Sequence, residues 1–110
     1  MPILGYAFEG LVPENYIETK NTFTVSETEN VDVVLTQWSY IGGYQNPAWL
    51  TYQLIAKSGG QTTGEIRVDG LFTSKSTTIT FYNVAPGTYV LRIFNKGAGL
   101  AYGNGYIYYH

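Results

Sequence analysis

Residues Ser76–Lys96, STTITFYNVAPGTYVLRIFNK, read as strand, tight turn, strand. Thr78, Ile79, Thr80, Phe81 and Tyr82 are β-branched or aromatic side chains that suit a pleated surface, and Thr88–Phe94 repeats that chemistry. Ala85-Pro86-Gly87 interrupts the run between them. Pro86 fixes its own φ and offers no N–H to a ladder, and Gly87 can take the positive φ that many tight turns require. The stretch is expected to form a hairpin, and it points to an antiparallel β-sandwich.

The flanking sequence carries the same grammar. Ile3–Phe8 is a short apolar run closed by Gly10 and Pro13, the pattern of an edge strand. Tyr16–Val25 alternates as a strand, and SETEN at Ser26–Asn30 is a polar turn. Val31–Tyr40 is the longest strand candidate, with Val31, Val33 and Leu35 on one face and Val34, Thr36, Trp38 and Tyr40 on the other. Both faces are partly apolar, so alternation alone leaves its register open. IGGYQNP at Ile41–Pro47 reads as a loop. Trp49–Lys57 puts Leu50, Tyr52, Leu54 and Ala56 on one face, and Gly64–Val68 turns Ile66 and Val68 inward. Asn95–Gly105, NKGAGLAYGNG, reads as a glycine-rich connection before a final strand at Tyr106–Tyr109.

These segments make roughly seven to nine strands with turn signals about every eight to twelve residues, which is the spacing of an all-β sandwich. No long window shows a helical period, and no linker or repeat divides the chain. Residues 1–110 are therefore expected to form one domain. A chain this long buries something over ~60% of its unfolded surface, enough for a core without staples. The expected core is Val33, Leu35, Leu50, Leu54, Ile66, Val68, Ile79, Phe81, Leu91 and Ile93.

Thr77–Ile93 resembles the immunoglobulin and fibronectin type III superfamily and the bacterial pre-peptidase C-terminal domains. The resemblance rests on Ile79 and Phe81, on VAPGTY at Val84–Tyr89, and on Leu91 and Ile93. It covers about a sixth of the chain. It implies an immunoglobulin-like sandwich in which Tyr89 is a corner tyrosine whose hydroxyl bonds back to upstream backbone. The cysteine pair of antibody domains is absent, and a jelly-roll sandwich fits the same strand spacing.

Composition excludes several chemistries. With no cysteine there is no disulfide framework, thiol nucleophile or thiolate metal site. The single histidine is His110, the last residue, which leaves nothing for a Ser–His–acid triad. The six basic residues are scattered, so no stripe exists to neutralise a phosphate backbone, and nucleic acid is not an expected partner. No apolar run is long enough to span a bilayer as a helix, and Met1–Val12 lacks the pattern of a signal peptide. Eight carboxylates are spread over expected loops and solvated faces. Glu27, Glu29 and Asp32 lie close together, but their spacing matches no calcium loop. The glycines at 97, 99, 103 and 105 precede no helix N-terminus that could hold a phosphate, so they are expected to serve turns. No cofactor, metal or catalytic group is expected.

Aromatic residues stand out: eleven Tyr, five Phe and two Trp, more than a core of this size can absorb. Trp38, Tyr40, Tyr44, Trp49 and Tyr52 fall within fifteen residues around the Gly42-Gly43 and Asn46-Pro47 signals. Tyr52 shares a face with Leu50 and Leu54 and is expected inside. Trp38, Tyr40, Tyr44 and Trp49 are either core packing or a binding surface of the stacking kind. Tyr102, Tyr106, Tyr108 and Tyr109 form a second exposed candidate. Charged residues make up only 13% of the chain, against about 25% in typical domains. Low charge with many Tyr, Thr, Asn and Gly resembles extracellular or cell-surface β proteins. The resulting expectation is a non-enzymatic binding module for carbohydrate or a protein partner, with oligomers allowed. The alternatives are a structural subunit of a surface layer, pilus or virion, or a small secreted antimicrobial or toxin-like protein. The net charge of −2 speaks against the last, since envelope-active agents usually carry a basic face.

Overall fold

Ten strands and no helix make up the computed structural model, which describes residues 2–109. In chain order they are β1 (Ile3–Leu11), β2 (Tyr16–Glu18), β3 (Phe23–Val25), β4 (Glu29–Ile41), β5 (Tyr44–Asn46), β6 (Ala48–Gly59), β7 (Ile66–Gly70), β8 (Phe72–Val84), β9 (Gly87–Asn95) and β10 (Leu100–Tyr108). They form two antiparallel sheets. The first runs β1–β10–β4, with β8 and the short β5 sharing the far flank of β4. In the second, β2 and β3 share one flank of β9, followed by β6 and β7. The pairings nest: β1 with β10, β2 and β3 with β9, β4 with β8, and β6 with β7.

Between the sheets lies one buried cluster. Val31, Val33 and Leu35 enter it from β4, Leu50, Tyr52 and Leu54 from β6, and Leu91 and Ile93 from β9. Strand alternation therefore resolves the ambiguous register of β4 in favour of its odd-numbered residues, and Trp38 and Tyr40 face outward. The expected core is found buried, except that Ile66 and Ile79 are only partly covered. Tyr52 is inside, as its face implies.

Four sequence expectations need correction. Tyr16–Val25 breaks into β2 and β3 around a bend, where Thr19 closes on itself through a bond from its hydroxyl to the Asn21 carbonyl. IGGYQNP contains a strand: Gly42 and Gly43 both hold positive φ, making a two-residue hairpin turn that returns the chain as β5. The glycine-rich stretch before Tyr106 is largely strand, since β10 begins at Leu100. Gly103 and Gly105 face inward by strand alternation, and the Thr36 and Val34 carbonyls of β4 together with the Phe8 and Tyr6 rings of β1 leave no room for a Cβ on either.

The fourth correction concerns the deciding stretch itself. β8 and β9 do not form a hairpin; they belong to different sheets, and Ala85-Pro86 carries the chain from one to the other. Asn83, rather than Gly87, takes the left-handed conformation, with φ 54° and its N–H donated to the Asn30 side chain. Gly87 is needed for space, because a Cβ there would fall 2.6 Å from the Gly60 Cα. Tyr89 locks this corner. Its ring is fully buried, its hydroxyl donates to the Ala85 carbonyl at 2.6 Å, and it accepts the Gln61 N–H at 3.1 Å.

A second buried polar group joins the sheets. Gln37 projects inward from β4, fully buried, and its Nε2 donates to the Val68 carbonyl of β7 at 3.0 Å. Its Oε1 accepts the Tyr52 hydroxyl of β6 at 2.8 Å. The Tyr6 hydroxyl lies close enough to Tyr52 for the two phenols to influence each other, yet it is buried without a hydrogen bond of good geometry. Burial pushes both phenols above the ordinary tyrosine range.

Two outcomes follow in urea unfolding. Tyr89→Phe strands the Ala85 carbonyl and the Gln61 N–H and is expected to cost about 1–2 kcal/mol; an unchanged midpoint would contradict the corner's role. Gln37→Leu is expected to cost about 1–3 kcal/mol by stranding the Tyr52 hydroxyl, and adding Tyr52→Phe should recover much of that loss.

Candidate functional site

The outer face of the first sheet is assembled by cross-strand register. Outward residues of β4 meet outward residues of β10 in the pairs Tyr40–Leu100, Trp38–Tyr102, Thr36–Asn104, Val34–Tyr106 and Asp32–Tyr108. Side chains directly opposite across an antiparallel ladder are close enough to interact. The Trp38 and Tyr102 rings lie nearly parallel, 5.9 Å apart at 8°, and Tyr40 meets Tyr102 edge-on at 5.2 Å. Trp38 is half-buried by this packing, and its Nε1 is covered and unpartnered among the described residues. Tyr40 and Leu100 stay exposed, and Ile41 and Tyr44 stand out at the adjoining hairpin, with Tyr44 77% exposed.

Below the aromatic group the same face is polar. The Thr36 hydroxyl donates to Asn104 Oδ1 at 2.9 Å, and the Thr80 hydroxyl of β8 donates to Asp32 at 2.6 Å. Tyr106, between these two pairs, is exposed. Asp32 is the sole charged residue among the outward positions of β4 and β10 named above.

The outer face of the second sheet has a different character. Glu18 of β2 accepts Arg92 of β9 at 2.6 Å and pairs with Lys57 of β6 at 3.0 Å, while Arg92 lies 4.3 Å over the Tyr16 ring. Arg67 of β7 lies 3.9 Å over the Trp49 ring and pairs with Asp69 at 2.9 Å.

Of the four residues singled out by sequence, Trp38 and Tyr40 come together, while Tyr44 stands opposite Ile41 in the β4–β5 hairpin and so shares the other face of the sheet. Trp49 does not join them. It alternates with buried Ala48 and Leu50 on β6 and so faces solvent from the opposite sheet, under Arg67. Tyr102 belongs with Trp38 and Tyr40 rather than with a separate group. Its signal was the alternation of Tyr102, Tyr106 and Tyr108 with Gly103, Gly105 and Ile107, a period-two pattern that the glycines disguise as a loop. Tyr109 instead packs against Phe23 at 5.0 Å. No group of three or more metal-ligating side chains is found among the described residues, Glu27, Glu29 and Asp32 included. His110 lies outside the described residues.

No family model matches the chain, and no curated protein matches it. Among solved structures it is similar to a protein from Sulfurospirillum deleyianum, at 11% identity with a TM-score of 0.57, covering 100% of this chain and 98% of that one. It is also similar to the mitogen of Yersinia pseudotuberculosis, at 16% identity with a TM-score of 0.49, covering 99% of this chain and 86% of the other. The likeness to the Sulfurospirillum structure defines the class as an all-β domain of two antiparallel sheets.

The Glu18 cluster generates a pH dependence. Burial raises the Glu18 carboxyl, but the hydrogen bonds and charges of Arg92 and Lys57 outweigh it and hold the group below its ordinary value of 4.5. A carboxylate depressed in the folded state contributes stability that is complete above the unfolded value and lost as pH falls through the folded one. The urea midpoint is therefore expected to drop as the pH is lowered below 4.5. Glu18→Gln should start lower and respond less to that change; an identical pH response in the variant would contradict the assignment.

Proposed function

We propose that the chain is a non-enzymatic β-sandwich domain of jelly-roll order that binds neutral carbohydrate on the outer face of its first sheet, in an extracellular or cell-surface setting. The nested pairing supports the fold reading. A jelly roll is a long antiparallel ribbon rolled into two sheets, which places the first strand beside the last, as β1 stands beside β10. In the immunoglobulin order the first strand pairs with the second.

The observation that carries the binding reading is the Trp38–Tyr102–Tyr40 group continued by Thr36, Asn104, Asp32 and Thr80 on one open face. A sugar ring presents C–H groups on its flat side and hydroxyls at its rim. Aromatic rings suit the first and short polar side chains the second, without desolvating ions. The near absence of charge fits a neutral ligand. A protein partner is the second reading, favoured by the exposure of Ile41, Tyr44 and Leu100 around the same hairpin.

Retention on a panel of soluble and insoluble polysaccharides tests the proposal. Tyr40→Ala and Tyr102→Ala are each expected to weaken binding by about 1–3 kcal/mol. Trp49→Ala, on the other sheet, should leave it unchanged. If no polysaccharide retains the wild type, or if Trp49→Ala weakens binding as much as Tyr102→Ala, the site is wrong.

A further inference from the structure

On the outer face of the first sheet, β1 sets its smallest residues beside exposed side chains of β10. Register places Gly5 against Tyr106 and Ala7 against Asn104. Opposed residues of an antiparallel pair share a face, so Gly5 and Ala7 lie on the face that carries Trp38 and Tyr102. Asn104 and Tyr106 are thus flanked on one side by a floor without bulk. A depression of about 160 Å³ opens there, bounded by Gly5, Asn104 and Tyr106. Tyr6 and Gly105, whose side-chain positions turn toward the core, complete its lining.

Gly5 provides space and no special backbone conformation. Its φ lies outside the left-handed region, and a Cβ there would meet the Tyr106 ring at 3.4 Å, an ordinary contact. Glycine weakens a strand and marks a bulge, a bend or the close approach of a ligand or another backbone. The bulge of β1 lies farther on, after Phe8, and Gly5 sits in regular ladder. The nearest neighbours of the missing Cβ are Tyr106 and Gly105 of the paired strand. Ligand approach is the use that is left. The walls suit one: Asn104 Oδ1 is taken by the Thr36 hydroxyl, while its Nδ2 makes no hydrogen bond among the described residues and keeps two N–H donors for an acceptor. Tyr106, 56% exposed, adds a ring and a hydroxyl. No ionisable group other than the two phenols lines the depression.

Tyr102, Asn104 and Tyr106 are successive outward residues of β10, so the depression continues the aromatic group along one strand. From Tyr102 to Tyr106 the strand advances about 14 Å, farther than one sugar ring reaches. We propose that the ligand is a neutral oligosaccharide lying along β10, with one unit on the Trp38–Tyr102–Tyr40 group and a later unit seated over Gly5. This rests on the carbohydrate reading and adds chain length to it: the face takes successive units of a glycan rather than a single sugar. In the second subsite Asn104 Nδ2 donates to a ligand oxygen, and the Tyr106 ring meets the C–H groups. Gly5 is the specificity-determining residue, because any larger side chain occupies the seat.

Calorimetric titration of the full chain with glucose, xylose and N-acetylglucosamine oligomers of one to six units tests the proposal. In the series that binds, affinity is expected to rise about tenfold from the shortest oligomer bound to the longest. Gly5→Val fills the depression with a side chain suited to a strand and should flatten that rise. Tyr106→Ser should flatten it too, whereas Tyr102→Ala should weaken every length. Gly5 and Tyr106 are exposed, so urea midpoints of both variants should stay close to wild type. Gly5→Val should also leave any polysaccharide that retains the wild type earlier than the wild type does. Affinity independent of length, or a Gly5→Val variant that matches the wild type on oligomers or on a retaining polysaccharide, overturns the second subsite and leaves the Tyr102 group standing. If neither oligomers nor polysaccharides bind, the carbohydrate reading fails and the subsite falls with it.

Discussion

Gln37 is the constraint on which the arrangement of the two sheets depends. Within each sheet the ladders fix every neighbour, but between the sheets most of the contact is apolar, and apolar contact has no direction. A fully buried amide that donates to Val68 and accepts from Tyr52 can be satisfied in only one relative placement of β4 over β6 and β7. Any slip of one sheet over the other leaves the amide, the hydroxyl or both unpaired in a dry interior, which is more costly than the hydrogen bonds are favourable. The Tyr89 corner serves the same end by anchoring the crossing between β8 and β9 to its own backbone.

Space for these groups comes from glycine. The inward face of β10 is Ala101, Gly103, Gly105 and Ile107, so the middle of a central strand contributes almost no volume to the core. Tyr6 and Phe8 lean into that gap from β1. A rim strand thus supplies the bulk that its neighbour omits, which ties β1 to the core despite its single pairing partner.

The class of fold was legible in the sequence because strand alternation and turn chemistry are local. Most of the expected core was legible for the same reason: Leu50, Leu54, Leu91 and Ile93 each sit in clean period-two runs. The pairing of distant strands was not. Nothing within VAPGTY distinguishes a turn inside one sheet from a corner between two, since both need Pro86 and Gly87; the choice is made by what β4 and β6 offer on either side. The aromatic site failed in the same way. Trp38 and Trp49 are close in sequence but lie on strands of different sheets, while Tyr102 reaches Trp38 through a register set by the whole ladder. The charged second face could be read residue by residue, yet the contrast between the two faces appears only once the strands are assigned to sheets.

The nesting of strand pairs has a consequence for how the chain reaches this state. The innermost pair, β6 with β7, closes over few residues and can form early. The outermost, β1 with β10, must bring together segments from opposite ends of the described chain, and β10 also supplies one flank of β4. Folding is therefore expected to be slow for a domain of this size, as it is for β topologies dominated by distant contacts. During synthesis β4 stays open along one side until β10 has emerged. For that interval the backbone N–H and C=O groups of β4 that pair with β10 lack their partners, and the nascent domain carries an open strand edge beside its core.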